Sequence, residues 1–199
     1  MVIGITRRAF LQSSGAALTA SAAGAAKAAK ADSGPAAPSV PALAAPLTLV
    51  VNGVRHTLDV EPQMTLVEVL RGPLNLMGTK IGCDRGSCSA CTVLIDGIPI
   101  VSCMLFAGDV GARKVTTVEG LANGDTLHPV QAAFIAHDAM QCGFCTPGMV
   151  LSSAALLERN RSPSLAEIKS ALTGHLCRCG TYPHVFAAIQ EVAAQKRSG

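Results

Sequence analysis

Eight cysteines, in two groups of four, carry the chemistry this sequence can do. In the later group, Gln141-Cys142-Gly143-Phe144-Cys145-Thr146-Pro147-Gly148 sets two thiols three positions apart, just before a Thr-Pro pair with the form of a helix start, Thr as N-cap and Pro at the first helical position. Cys177-Arg178-Cys179-Gly180-Thr181-Tyr182-Pro183 repeats the plan. Four thiols therefore gather where helices begin. Helix N-termini carry partial positive charge and unpaired N–H groups, so they suit an anion, and an iron–sulfur cluster held by thiolates is one. Zinc fits the spacing poorly, because zinc sites usually repeat Cys-x2-Cys or bring His. Structural disulfides are the rival if the protein is exported.

The earlier group decides between them. Gly82-Cys83-Asp84-Arg85-Gly86-Ser87-Cys88-Ser89-Ala90-Cys91, completed by Cys103 on an expected returning strand, reads Cys-x4-Cys-x2-Cys with a distant fourth, the plant-type ferredoxin spacing. Small residues let such a loop curl with its N–H groups pointing inward. Three thiols in one tight loop are what a cluster needs and what disulfides do not explain.

The elements around these thiols follow from periodicity and punctuation. Leu47–Val51 and Val54–Val60 alternate about Asn52-Gly53, which predicts a hairpin. Thr65-Leu66-Val67-Glu68 reads as a capping box opening a short helix stopped by Gly72-Pro73. Thr92–Ile95, Asp96-Gly97 and Ile98–Cys103 predict a second hairpin, and Val115–Val118 a further strand. Beyond these, Pro129–His137, Met149–Glu158, a helix capped by Ser164-Leu165-Ala166-Glu167 and Val185–Ala194 predict four helices in two helix–cysteine–helix units. The expectation is an α+β chain: a β-grasp ferredoxin-like domain over 47–122, then a four-helix domain over 123–199 that holds the second cysteine group, which the resemblance named below makes a [2Fe–2S]-binding domain. His56, His128, His137, His175 and His184 show no ligand spacing and are left out of the site, and Met77, Met104, Met140 and Met149 are read as core.

Residues 1–46 read as an address and a tether. Thr6-Arg7-Arg8-Ala9-Phe10-Leu11 ahead of an Ala-, Gly- and Ser-rich run has the form of a twin-arginine export signal, with cleavage after Ala22 or Ala44 and the periplasm as destination. Ser13, Ser14, Ser21, Lys27 and Lys30 interrupt the run, so no stable membrane span is expected. Pro35, Pro38, Pro41 and Pro46 mark an extended linker. The chain's net charge of +3 lies wholly within residues 1–44, so the rest is neutral, and with no Trp and one Tyr a nucleic-acid platform is poorly supplied.

With both cysteine groups in place, the sequence resembles the two-cluster iron–sulfur subunit of the molybdenum hydroxylases, the xanthine dehydrogenase and aldehyde oxidoreductase family. The likeness runs from about Leu47 to Ala194 and rests on Gly82-Cys83 through Cys91-Thr92-Val93, on Gln141 through Gly148, and on Leu176-Cys177-Arg178-Cys179-Gly180-Thr181-Tyr182-Pro183. The export segment makes it most similar to a periplasmic aldehyde oxidoreductase subunit. The resemblance implies one [2Fe–2S] cluster on Cys83, Cys88, Cys91 and Cys103, and a second on Cys142, Cys145, Cys177 and Cys179. It also implies a molybdopterin on a large partner subunit near Gln141 and Cys179, and FAD or another acceptor on the far side. The chain would relay single electrons and carry no catalytic residue for substrate. Family members commonly have Gly at Ser89 and Asn at His175, departures that bear on hydrogen bonding near the clusters. The same subunit in an N-heterocycle or purine hydroxylase, a free-standing ferredoxin, and a secreted disulfide-stapled module are the alternatives.

Overall fold

The computed structural model describes residues 44–198, so the segment expected to be an export signal and most of the expected tether lie outside the described residues. The first hairpin forms as its alternation requires: β1 (Ala45–Val51) and β2 (Val54–Val60) pair antiparallel, Val51 opposite Val54. Asn52 and Gly53 both adopt positive φ, 51° and 80°, the pair of angles that matches a two-residue turn to strand twist. Asp96 and Gly97 do the same, at 48° and 79°, between β3 (Thr92–Ile95) and β4 (Ile98–Val101). β5 (Lys114–Thr116) joins the two hairpins, parallel to β1 and antiparallel to β3, giving the order β2-β1-β5-β3-β4. The chain is thus α+β with a mixed five-stranded sheet.

Helix α1 (Leu66–Arg71) packs across one face of this sheet. Its start is the expected capping box: the Glu68 carboxylate accepts from the Thr65 backbone N–H and hydroxyl, both at 2.7 Å. Leu66, Val69 and Leu70 are fully buried against Leu49, Val51, Val93, Ile95 and Val115. At roughly 1.5–3 kcal/mol for each such side chain taken from water, this layer is the main support of the first half.

Four helices follow: α2 (Pro129–Ala136), α3 (Thr146–Arg159), α4 (Leu165–Ala171) and α5 (Tyr182–Ser198). They close around Phe134, Met149, Leu157, Ile168 and Ile189. Central α3 is buried through most of its length because it serves two cores. Met149, Val150, Ala154 and Leu157 face the helices, while Leu151 and Ala155 pack on Leu94 of β3. All four residues of β3 are therefore buried, covered by α1 on one face and α3 on the other. That sandwich brings the two cysteine groups to the same end of the structure.

Five expectations need adjusting. Met77, Met104 and Met140, read as core, are exposed because they sit in loops and turns outside the packed helices and strands, and of the four only Met149, on α3, is buried. Cys103 lies in a 3-10 turn (Ser102–Met104), not on β4, because Ser102 folds under, its N–H and hydroxyl both donating to the Cys91 carbonyl. The last strand stops at Thr116, with Val118 in a 3-10 turn. Thr146 is the first residue of α3 and Cys145 its cap, so a thiol and not a hydroxyl occupies the helix entry. Tyr182, not Pro183, opens α5.

Candidate metal centre

The loop from Cys83 to Cys91 leaves α1 and returns to β3, tied at its base by the Lys80 N–H on the Ala90 carbonyl. Asp84, Gly86 and Ser89 take positive φ, which curls the chain and turns amides toward sulfur. Cys83 N–H donates to Cys88 Sγ at 3.4 Å, Gly86 N–H to Cys103 Sγ at 3.3 Å, and Ser87 N–H to Cys83 Sγ at 3.2 Å. Cys91 and Cys103, both buried, also contact each other. The first group of four is thus assembled, with Cys83 beside Cys88 and Cys91 beside Cys103.

The second group is assembled by helix packing. Cys142 and Cys145 precede α3, Cys177 and Cys179 precede α5, and the shared core of α2, α3 and α5 brings the two loops together. Cys142 Sγ lies 3.6 Å from Cys179 Sγ, and Cys145 contacts Cys177. Thr181 supports Cys177, its hydroxyl 3.3 Å from the sulfur. The Tyr182 hydroxyl accepts from the Cys177 N–H at 2.8 Å and donates to the His175 carbonyl at 2.9 Å, fixing the loop ahead of α5.

The thiol environments are uneven within each group. The backbone amides of Arg85 and its neighbours bring the Cys83 pKa down to about 7. Burial opposes charge on Cys177, but hydrogen bonds led by Thr181 outweigh it and also leave about 7. Burial pushes Cys91 up to about 11, and burial with the neighbouring Cys177 pushes Cys145 to about 12. Each group therefore holds one thiol whose hydrogen bonds favour the thiolate and one whose burial opposes it.

These donor sets suit a dinuclear iron–sulfur group. All eight cysteines are free thiols. Among the described residues no three His, Cys, Asp or Glu side chains converge on one point at single-ion distance. The thiols instead meet two by two, as two irons with two protein ligands each require, whereas tetrahedral zinc needs four at one centre. The amides aimed at sulfur supply the stabilisation that an anionic cluster takes from its loop.

Two other features join the groups. The Leu176 N–H donates to the Cys88 carbonyl at 3.1 Å, so a residue adjoining Cys177 is bonded directly to a residue of the first group. Beside it, His175 is 6% exposed, with its Nε2 2.8 Å from the Ser152 hydroxyl, its Nδ1 without a hydrogen-bond partner and its pKa lowered by burial to about 4. His175, which stands where family members commonly have Asn, ties the loop ahead of Cys177 to α3 through Ser152. The supporting roles of Thr181 and Tyr182 are not announced by the sequence, although both sit inside the Cys-x-Cys-Gly-Thr-Tyr-Pro run. Gln141 lies exposed next to exposed Cys142, at the open side of the second group.

The chain matches two family models end to end: one described as a 2Fe-2S iron-sulfur cluster binding domain, over residues 49–115, and one as a [2Fe-2S] binding domain, over residues 117–190. It is 41% identical to the aldehyde oxidoreductase iron-sulfur-binding subunit PaoA of Escherichia coli O157:H7, covering 98% of this chain and 91% of that one. It is 44% identical to the nicotine 6-hydroxylase small subunit of Paenarthrobacter nicotinovorans, over 73% of this chain and 87% of that one. Among solved structures, a chain of quinoline 2-oxidoreductase from Pseudomonas putida 86 superposes with a TM-score of 0.75 at 40% identity, over 79% of this chain and 98% of that one. The chain belongs to the [2Fe–2S] iron–sulfur subunits of the molybdenum hydroxylase family, the electron-transfer subunits of these oxidoreductase complexes.

Proposed function

We propose that this chain is the electron-transfer subunit of an exported aldehyde oxidoreductase, with Cys83, Cys88, Cys91 and Cys103 holding one [2Fe–2S] group and Cys142, Cys145, Cys177 and Cys179 the other. The observation that carries the reading is the meeting of both thiol sets two by two, within a chain matched over residues 49–115 and 117–190 by [2Fe–2S]-binding families. Each bound group supplies a one-electron centre, so the pair can pass on singly the two electrons that a hydroxylation releases. The protein's part is to hold eight thiolates, aim amides at sulfurs of the first set, and fix the separation of the sets through the Leu176 N–H on the Cys88 carbonyl. The sheet half has the hairpin–helix–hairpin order of a β-grasp ferredoxin-like domain over 47–122, and the four helices form the second binding domain over 123–199.

The second set is the one that faces the molybdopterin of a large partner subunit. Gln141 and Cys142 are exposed there, and Met140, Phe144 and Leu176 leave large apolar side chains in solvent around it, a surface suited to burial under another chain. Gln141 and Cys179 are the contacts to the pterin. The first set is then left for an FAD-binding subunit or another acceptor. The aldehyde reading is supported by the likeness to the aldehyde oxidoreductase subunit of Escherichia coli O157:H7, which extends over 98% of the chain and so includes residues ahead of Leu47. Arg7-Arg8 in that leading segment directs twin-arginine export to the periplasm. No helix of the described residues is long and apolar enough to cross a membrane. The second reading, an N-heterocycle hydroxylase, is favoured by the superposition on quinoline 2-oxidoreductase.

The test is to co-express the chain with its molybdenum-binding partner and follow the visible absorption of the clusters after mixing with aldehydes, N-heterocycles or purines. Bleaching by aldehydes alone is expected. Bleaching by heterocycles alone would transfer the chain to the second reading. Replacing Arg7-Arg8 by Lys-Lys should leave the loaded protein in the cytoplasm, and unchanged periplasmic recovery would contradict the export assignment.

A further inference from the structure

Gly148 is buried in the first turn of α3, where glycine is a poor helix former. Its φ lies outside the left-handed region, so conformation does not call for glycine there. Space does. A Cβ at this position would lie 2.4 Å from the Ser89 carbonyl oxygen and 3.3 Å from Cε1 and Nδ1 of His175. Neither neighbour can swing aside. The Ser89 carbonyl is main chain and is held twice by Thr92, through its N–H at 3.2 Å and its hydroxyl at 2.8 Å. The His175 ring is buried and tied to Ser152. Three segments therefore converge on one absent side chain: the loop of the first thiol set, the helix that follows Cys145, and the loop that leads to Cys177.

We propose that Gly148 is a positioning residue for electron passage between the two thiol sets, its bare Cα fixing their separation and keeping the Leu176 N–H on the Cys88 carbonyl. The proposal rests on the ligand assignment given under Proposed function. A methyl group there would force the Ser89 carbonyl back by about 1 Å to reach ordinary contact. That shift is expected to strain the 3.1 Å Leu176–Cys88 bond of the adjoining peptide without removing any thiol.

The experiment compares wild type, Gly148→Ala and Ser152→Ala, each purified as the complex with its molybdenum-binding partner. The readouts are iron content, the mutual splitting and relaxation of the two EPR signals in the fully reduced state, and the time at which each centre becomes reduced after rapid mixing with substrate. Gly148→Ala is expected to keep its iron and both signals, with weaker mutual splitting and several-fold slower reduction of the first centre. Ser152→Ala adds no atom and frees the His175 ring, so a smaller loss in the same direction is expected. Unchanged splitting and timing in iron-loaded Gly148→Ala would overturn the proposal. Loss of iron from Gly148→Ala together with wild-type splitting in Ser152→Ala would also overturn it, assigning the glycine to folding alone. A wild-type complex without two interacting centres would instead remove the ligand assignment, and this inference with it.

Discussion

The two thiol sets reach similar ends by different construction. Three cysteines of the first lie on one loop, Cys83 to Cys91, whose amides bond to sulfurs of the set over 3.2–3.4 Å, and Cys103 is only a hairpin away. The second is drawn from two loops more than thirty residues apart, and their meeting depends on how α2, α3 and α5 pack. The first set is therefore a property of a loop and the second a property of a core. Disturbing the helical core should cost the second centre before the first, while loop chemistry should tune each centre alone.

The largest expected effect comes from removing a ligand. Cys91→Ser and Cys142→Ser should each lose about half the iron and one EPR signal, a different one in each case. Electron delivery to the acceptor should fall to background in both; a variant retaining both signals would undo the ligand assignment. Next is Phe134→Ala, which empties a fully buried position of the helical core at a cost of about 3–5 kcal/mol. Iron analysis with EPR during denaturation should show the second centre lost first, and simultaneous loss of both would break the comparison.

Tyr182→Phe is gentler. It strips the Cys177 amide and the His175 carbonyl of a shared hydroxyl, at about 1–3 kcal/mol, and redox titration should find the second centre's potential moved and the first centre's unchanged. The smallest effect is a pH dependence. Glu167 accepts from the Ser164 backbone N–H and hydroxyl and from Asn160, which hold its pKa below the ordinary glutamate value. The unfolded chain thus binds the proton first, so this contribution is complete above the ordinary value and lost as pH falls through the lowered one. Glu167→Gln should flatten that acid limb of the denaturation midpoint, without altering either EPR signal.

Much of this was legible because it is local. Asn52-Gly53 and Asp96-Gly97 specify turns by their tolerance of positive φ, Thr65 with Glu68 and Ser164 with Glu167 specify caps, and the Cys83–Cys91 spacing specifies its own loop. What was hidden depends on contact between distant segments. Cys103 was expected on a strand, because nothing in Val101-Ser102-Cys103 announces that Ser102 will bond back to Cys91. His175 shows no ligand spacing in the sequence, and its bond to Ser152 depends on a helix 23 residues away. The double burial of β3 was equally invisible, since a short apolar strand reads the same whether one face or both are covered.

The most direct test of the central claim is iron and acid-labile sulfide per chain on anaerobically purified protein, with EPR after dithionite reduction. The structure predicts iron and sulfide in equal amounts, enough for one [2Fe–2S] group on each thiol set, and two distinguishable rhombic signals. An iron-free, EPR-silent chain with its cysteines oxidised to disulfides would contradict it.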